Sequence, residues 1–149
     1  MTRIYTTIRV EEPPERLFEY VTTPGNWPAW HPSSLGVSGA TDHSLEPGEK
    51  VTEEYTVAGR HGRVIWTVRE REAPRRWVIA GEVEGGGSGT ITYSLTPDAG
   101  GTIFERDFVY IMPNALLALL DRLVLRRRVE AESAEALRRL KDVLERRAT

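Results

Sequence analysis

Residues 48–113 read GEKVTEEYTVAGRHGRVIWTVREREAPRRWVIAGEVEGGGSGTITYSLTPDAGGTIFERDFVYIMP, and this stretch decides the fold. Runs of alternating apolar and polar residues are cut at short intervals by residues that favour turns. The alternation predicts strands over Glu49–Ala58, Gly62–Glu72, Arg76–Glu84, Thr90–Thr96 and Thr102–Tyr110. Between them lie Gly59-Arg60-His61, Ala73-Pro74, the glycine run Gly85–Gly89, and Asp98-Ala99-Gly100-Gly101. Such short links make the strands an antiparallel meander, because parallel neighbours need crossovers of about a dozen residues or more.

Outward from this meander the pattern changes on both sides. Upstream, Ile4, Thr6, Ile8 and Val10 alternate within Arg3–Val10, a first strand, and Glu11-Glu12-Pro13-Pro14 breaks it. Proline suits the first turn of a helix and Glu15 lies near the positive end of its dipole, so Leu17, Phe18 and Val21 become the apolar stripe of a short helix ending near Thr22. A helical turn is expected near Asn26–Trp30 and a weaker strand within Leu35–Ala40. Downstream, Asn114–Arg147 contains neither Gly nor Pro and is rich in Leu, Ala, Arg and Glu, which predicts a long C-terminal helix. Leu116, Leu120, Leu123, Ala134, Leu137 and Leu144 are assigned to its buried side, with small Ala131 and Ala134 near the middle.

The expected fold class is therefore α+β: a curved antiparallel sheet of about seven strands around a long C-terminal helix, with short helices after the first strand. At 149 residues, one domain spanning 1–149 is expected. A net charge of −2 argues against nucleic acid as a partner. The arginines at 126–128, 138 and 139 are interleaved with Glu130, Glu132 and Glu135, as on a solvated helix face. The absence of cysteine excludes disulfides, thiolate zinc sites and thiol nucleophiles. The N-terminal residues form no apolar run of the signal-peptide kind and no segment reaches the length of a spanning helix, so the cytoplasm is the expected compartment.

The strand faces point to a container. Val64, Trp66 and Val68 oppose Arg63, Thr67, Arg69 and Arg71; Ile91, Tyr93 and Leu95 oppose Thr90, Thr92, Ser94 and Thr96; Phe104, Arg106, Phe108 and Tyr110 oppose Glu105 and Asp107. Each strand thus has one wet face and one aromatic or aliphatic face. A helix is only about 10–12 Å wide, and the inner faces exceed what such a stripe can cover. An apolar ligand cavity and a solid core both satisfy the pattern.

Several stretches, in this order, resemble the START-like, or polyketide cyclase/dehydrase (SRPBCC), superfamily with its helix-grip fold. They are IRVEEPPERLF at 8–18, WPAWHP at 27–32, VREREAPRR at 68–76, GTIF at 101–104 and LRRLK at 137–141. The resemblance covers nearly the whole chain. It implies binding of a lipid, sterol, polyketide or isoprenoid-like molecule beneath the helix, with cyclisation or dehydration in a minority of members. It carries over no universal catalytic motif, and no catalytic residue is assigned.

The ligand contacts expected from the residues themselves are Trp30, Glu53, Tyr55, Trp66, Tyr93, Phe104, Arg106, Phe108, Tyr110, Ala131 and Ala134. Trp66, Tyr93 and Phe108 would face the Ala131–Ala134 segment. Glu53, on the face of Val51, Tyr55 and Val57, would be a carboxylate in an apolar pocket, and Arg106 would pair with it or hold an acidic ligand group. A structural salt bridge satisfies the same two residues. His31, beside Pro32, reads as a surface histidine, with a general base at the entrance as the alternative. His/Asp/Glu spacings suggest no metal, and no cofactor is expected. The glycine run reads as a mobile hairpin tip that gates the cavity.

Ile111–Leu120 is apolar on nearly all sides. Burial against the sheet, a homodimer contact and transient membrane contact are the readings, in that order. The leading functional expectation is a non-catalytic binder of an apolar, ring-containing small molecule. The alternatives are an aromatase/cyclase- or dehydratase-like enzyme using Glu53, Tyr55 and Arg106, and a protein-interaction module without a small ligand.

Overall fold

A computed structural model describes residues 1–57 and 59–148, with side chains through Arg146. The strands are β1 (Thr2–Val10), β2 (Ser34–Gly39), β3 (Lys50–Val57), β4 (Arg60–Glu72), β5 (Arg76–Val83), β6 (Ser88–Asp98) and β7 (Gly101–Ile111). Ala58, the expected last residue of the third strand, lies outside the described residues. The strands form one seven-stranded sheet in the order β1-β7-β6-β5-β4-β3-β2. β2 to β7 are a meander and β1 returns to pair antiparallel with β7, so the first and last strands lie side by side. A register shift between Val68 and Glu70 lets β4 bend.

Between β1 and β2 lie helix α1 (Pro14–Val21), a 3-10 turn at Pro24–Asn26 and the short helix α2 (Trp27–Trp30). Leu17, Phe18 and Val21 are the buried side of α1. After β7 the helical backbone runs through α3 (Ala115–Leu120), a π turn at Asp121–Leu125 and α4 (Arg126–Ala148). The inner sheet face, α1, α2 and the second half of α4 enclose the main core, in which Trp30, Trp77, Phe18 and Phe104 are almost fully buried. The outer face is wet and carries pairs such as Arg3–Asp107, Arg63–Glu54 and Arg76–Glu70, each at 2.9 Å. Exposed pairs of this kind add little stability.

The phase of the C-terminal helix differs from the expectation. Its buried line is Asp121, Leu125, Val129, Ser133, Ala136, Leu137, Leu140 and Leu144. Leu116, Leu120 and Leu123 point to solvent instead, at 76%, 42% and 69% exposure. Ala131 is exposed and Ala134 only part-buried. Asp121 and Leu125, four apart at the two ends of the π turn, share the buried side. An acid, not a leucine, therefore makes the first contact with the sheet.

Asp121 is satisfied there. The Thr2 hydroxyl donates to its Oδ2 at 2.6 Å and the Tyr110 hydroxyl to its Oδ1 at 2.6 Å. Burial, followed by the Asp121 carboxylate, pushes the Tyr110 phenol well above its ordinary range, so it stays a donor. Asp121→Ala strands the buried Tyr110 donor and is expected to cost about 1–3 kcal/mol in chemical denaturation, with Tyr110→Phe costing less. Equal costs for both variants would mean the Thr2 arm contributes nothing.

Candidate ligand-binding site

Under α4 the main core does not close. A cavity of ≈ 350 Å³ lies between the inner face of β3–β7, α2 and the helix residues Leu125, Val129, Glu132 and Ser133. The size falls at the lower end of ordinary small-molecule pockets, about 300–1,000 Å³. The filled space that a ligand-free interaction module would need beneath the helix is therefore not what the described residues form.

Eight of the expected contacts converge on this cavity: Trp30, Glu53, Tyr55, Trp66, Tyr93, Arg106, Phe108 and Tyr110. Three do not. Phe104 is completely buried against Tyr93, centroids 5.0 Å apart, one layer behind the wall. Ala131 and Ala134 lie off the cavity because of the helix phase, and Val129 and Ser133 take their place. A signal for Ser133 was present only in its spacing of four from Val129, which is weak for a polar residue.

The aromatic wall is set by small residues behind it. Trp66 pairs with Gly81 across β4 and β5, and its ring lies where a Cβ on Gly81 would come within 2.6 Å. The glycine therefore lets the indole lie flat on the sheet. In that position Trp66 Nε1 donates to Glu53 Oε1 at 2.9 Å. Burial raises the Glu53 carboxyl above its ordinary value, while the indole and the positive charge of Arg106 oppose the rise.

Arg106 is the charged group of the inner wall, 4% exposed. Nη1 donates to Ser133 Oγ at 3.2 Å, and the guanidinium carbon lies 5.3 Å from the Phe108 ring centroid. Among the described residues no carboxylate forms an ion pair with it, and its Nε has no hydrogen-bond partner. The expected direct salt bridge from Glu53 is absent; Glu53 bonds Trp66 instead. Tyr93 also lines this wall, and burial pushes its phenol up to about 12, so it too is a donor at neutral pH.

His31 corrects the surface reading. α2 turns it inward, where its unburied part lines the cavity and its ring tilts against Trp30 at 5.7 Å. Its Nδ1 accepts the Ser33 backbone N–H at 3.1 Å, leaving Nε2 to carry the proton of the neutral ring. Burial first, then the charges of Arg106 and Arg139, hold the imidazole well below its ordinary value. The unfolded chain thus takes up a proton at His31 that the folded chain refuses. His31's share of stability is present above about pH 6.5 and falls as the pH drops below it. Glu53 acts with the opposite sign, because its raised value makes stability fall as the pH rises above the ordinary carboxyl range. His31→Gln is expected to flatten the loss of thermal midpoint between about pH 6.5 and 5, measured against the parent protein. An unchanged slope would place the titration elsewhere. The sequence placed His31 at the entrance only as the alternative to a surface histidine, because its neighbours on α4 are about a hundred positions away, as in the Ser33–Glu132 hydrogen bond of 3.0 Å.

One end of the cavity is lined by the β3–β4 and β5–β6 hairpins and the link after β7. Gly86 and Gly87 have φ of 120° and 94°, and a Cβ on Gly86 would lie 2.8 Å from that of Pro113. The glycine run therefore lets this hairpin tip close on the start of the helical segment. Among the described residues, no group of His, Asp or Glu is arranged to hold a metal ion.

A family model described as polyketide cyclase / dehydrase and lipid transport matches residues 1–145. The chain belongs to that family. Among solved structures, this family member is similar to a protein of Rhodobacter sphaeroides at 26% identity and a TM-score of 0.69, covering 97% of this chain and 92% of that one. Protein TTHA0849 of Thermus thermophilus matches with a TM-score of 0.82 at 12% identity, covering 99% and 100%. Ara h 8.0201 matches with a TM-score of 0.66 at 12% identity, covering 95% and 96%. The last two likenesses establish the helix-grip fold alone. No curated protein matches. Membership supports hydrophobic-ligand binding as the family's common property, without naming a ligand.

Proposed function

We propose that this protein binds and carries an apolar, ring-containing small molecule of lipid, polyketide or isoprenoid type, and that an oxygen of that molecule sits on Arg106. The carrying observation is the buried guanidinium in the lining of an apolar cavity, with no carboxylate ion-paired to it among the described residues. A buried cation that lacks a carboxylate is costly, and a ligand oxygen is the partner that relieves the cost. Trp30, Trp66 and Tyr93 supply flat walls for rings, and the Tyr93 hydroxyl adds a donor.

Native mass spectrometry of the purified protein tests the reading, followed by tryptophan-quenching titrations with matched pairs of polycyclic acids and their methyl esters. The acid is expected to bind at least about tenfold tighter, as a charge-assisted contact gives. No retained molecule, together with no quenching by any acid or ester, sinks the proposal.

A second reading, an aromatase/cyclase- or dehydratase-like enzyme, is favoured by one observation: Glu53, His31 and Arg106 line the same cavity. Arg106 would polarise a carbonyl and the neutral His31 or Glu53 would move a proton. Turnover of poly-β-ketone substrates that survives both Glu53→Gln and His31→Gln would remove those residues from the chemistry.

A further inference from the structure

Beyond Met112 and Pro113, which line the cavity, the helical segment carries an apolar face that covers nothing among the described residues. Leu116, Leu119, Leu120, Leu123 and Val124 follow one another at helical spacing, and each is between 42% and 76% exposed. The opposite side of the same segment is fixed to the body through Asp121 and Leu125. With Asp121 held inward by Thr2 and Tyr110, these residues lie on the outward side of the segment. The segment does not cross a membrane, since no helix among the described residues is long and apolar enough.

Charge identifies the occupant. Between residues 114 and 129 the sequence has four arginines, Arg122, Arg126, Arg127 and Arg128, against one acid, the buried Asp121. All four arginines are exposed, and Arg126 has Glu130 at 3.5 Å. This positive surface belongs to a chain whose net charge is −2. A second copy docked on the same face about a two-fold axis would pair this patch with itself, and between residues 114 and 129 it holds no exposed acid to meet its arginines. A surface that is apolar below and negative at its edge meets both features, and an anionic bilayer is such a surface.

We propose that Leu116, Leu119, Leu120, Leu123 and Val124, flanked by Arg122, Arg126 and Arg127, dock in the plane of an anionic lipid bilayer. The inference stands on the exposed face and its charge and does not depend on what the cavity holds. Its consequence for the cavity is positional: Ile111, Met112, Pro113 and Leu125, which line the cavity, border the docking segment. A docked protein therefore holds this end of the cavity next to the membrane.

The test is co-sedimentation of the full chain with vesicles of phosphatidylcholine alone and of phosphatidylcholine mixed with phosphatidylglycerol, at low and high salt. Binding is expected to the mixed vesicles, weakened by salt, and to be weak or absent on the neutral ones. Replacing Arg122 and Arg127 with Gln is expected to weaken it about fivefold per arginine. Leu116→Asp with Leu123→Asp is expected to abolish it. All four positions are solvent-exposed, so an unchanged thermal midpoint identifies these variants as folded. No binding to mixed vesicles overturns the proposal, as does binding that the folded leucine variant retains. A dimer in solution that the same leucine variant splits also overturns it, by showing that a second copy covers the face.

Discussion

Arg106→Met is expected to leave the empty protein as stable as before or more stable, while lowering its affinity for an acidic or ketone-bearing polycyclic ligand about 10–100-fold. The two halves of this result come from one fact. Arg106 is 4% exposed, yet among the described residues no carboxylate pairs with it; it donates to Ser133 at 3.2 Å, hydrogen-bonds the Tyr93 hydroxyl and has Phe108 beneath it. Removing the guanidinium leaves Ser133 Oγ without that donor, a loss of about 1 kcal/mol. It also removes a charge that burial disfavours, and methionine fills much of the same volume with apolar atoms. The bound state loses a charge-assisted hydrogen bond in a site of low dielectric, and this loss outweighs the one in the empty protein. Thermal melts of the empty protein and titrations with acid and ester ligands read the two halves separately. A fall of several kcal/mol in the empty protein would make Arg106 a structural residue, and an unchanged affinity would take it out of the binding site.

What could be read ahead of the structure divides along physical lines. Strand parity follows from alternation, a local property, so Val64, Trp66 and Val68, or Ile91, Tyr93 and Leu95, face inward as expected. Short glycine- and proline-bearing links made antiparallel neighbours unavoidable, and the sheet order follows them. The helix phase was not legible in this way. It depends on a buried acid, and the Thr2 that satisfies Asp121 is 119 residues away. Hydropathy places leucines inside and aspartate outside, and here tertiary contacts reverse both at the same turn. Ala131 and Ala134 fell outside the cavity with the helix phase, and Phe104 because alternation says which face a residue is on, not how deep it lies. His31 was read first as a surface residue because its burial comes from α2 packing on α4, which nothing near Pro32 announces.

The cavity also needs a rigid floor, and the second large effect tests it. Trp77→Ala is expected to destabilise the fold by about 3–5 kcal/mol, the upper range for a buried aromatic. Trp77 is fully buried in β5 without lining the cavity. Its ring stacks on Tyr93 at 5.5 Å and meets Trp27 edge-on at 6.3 Å. Its Nε1 donates to the Leu45 carbonyl at 3.1 Å, which ties the long connection between β2 and β3 to the sheet. Alanine removes the ring beneath Tyr93, opens a void and leaves that carbonyl unsatisfied in a buried place. Trp77→Phe keeps most of the ring volume and loses only the hydrogen bond, so its cost is expected to be about 1–2 kcal/mol, one lost bond plus a small packing defect. For a chain of this size the alanine variant's thermal midpoint should fall by about 10 °C or more. Because Tyr93 stands between Trp77 and the cavity, ligand affinity should fall as well in protein that remains folded at low temperature. A Trp77→Ala protein that melts within a degree or two of the parent would show that the wall of the cavity does not rest on this tryptophan.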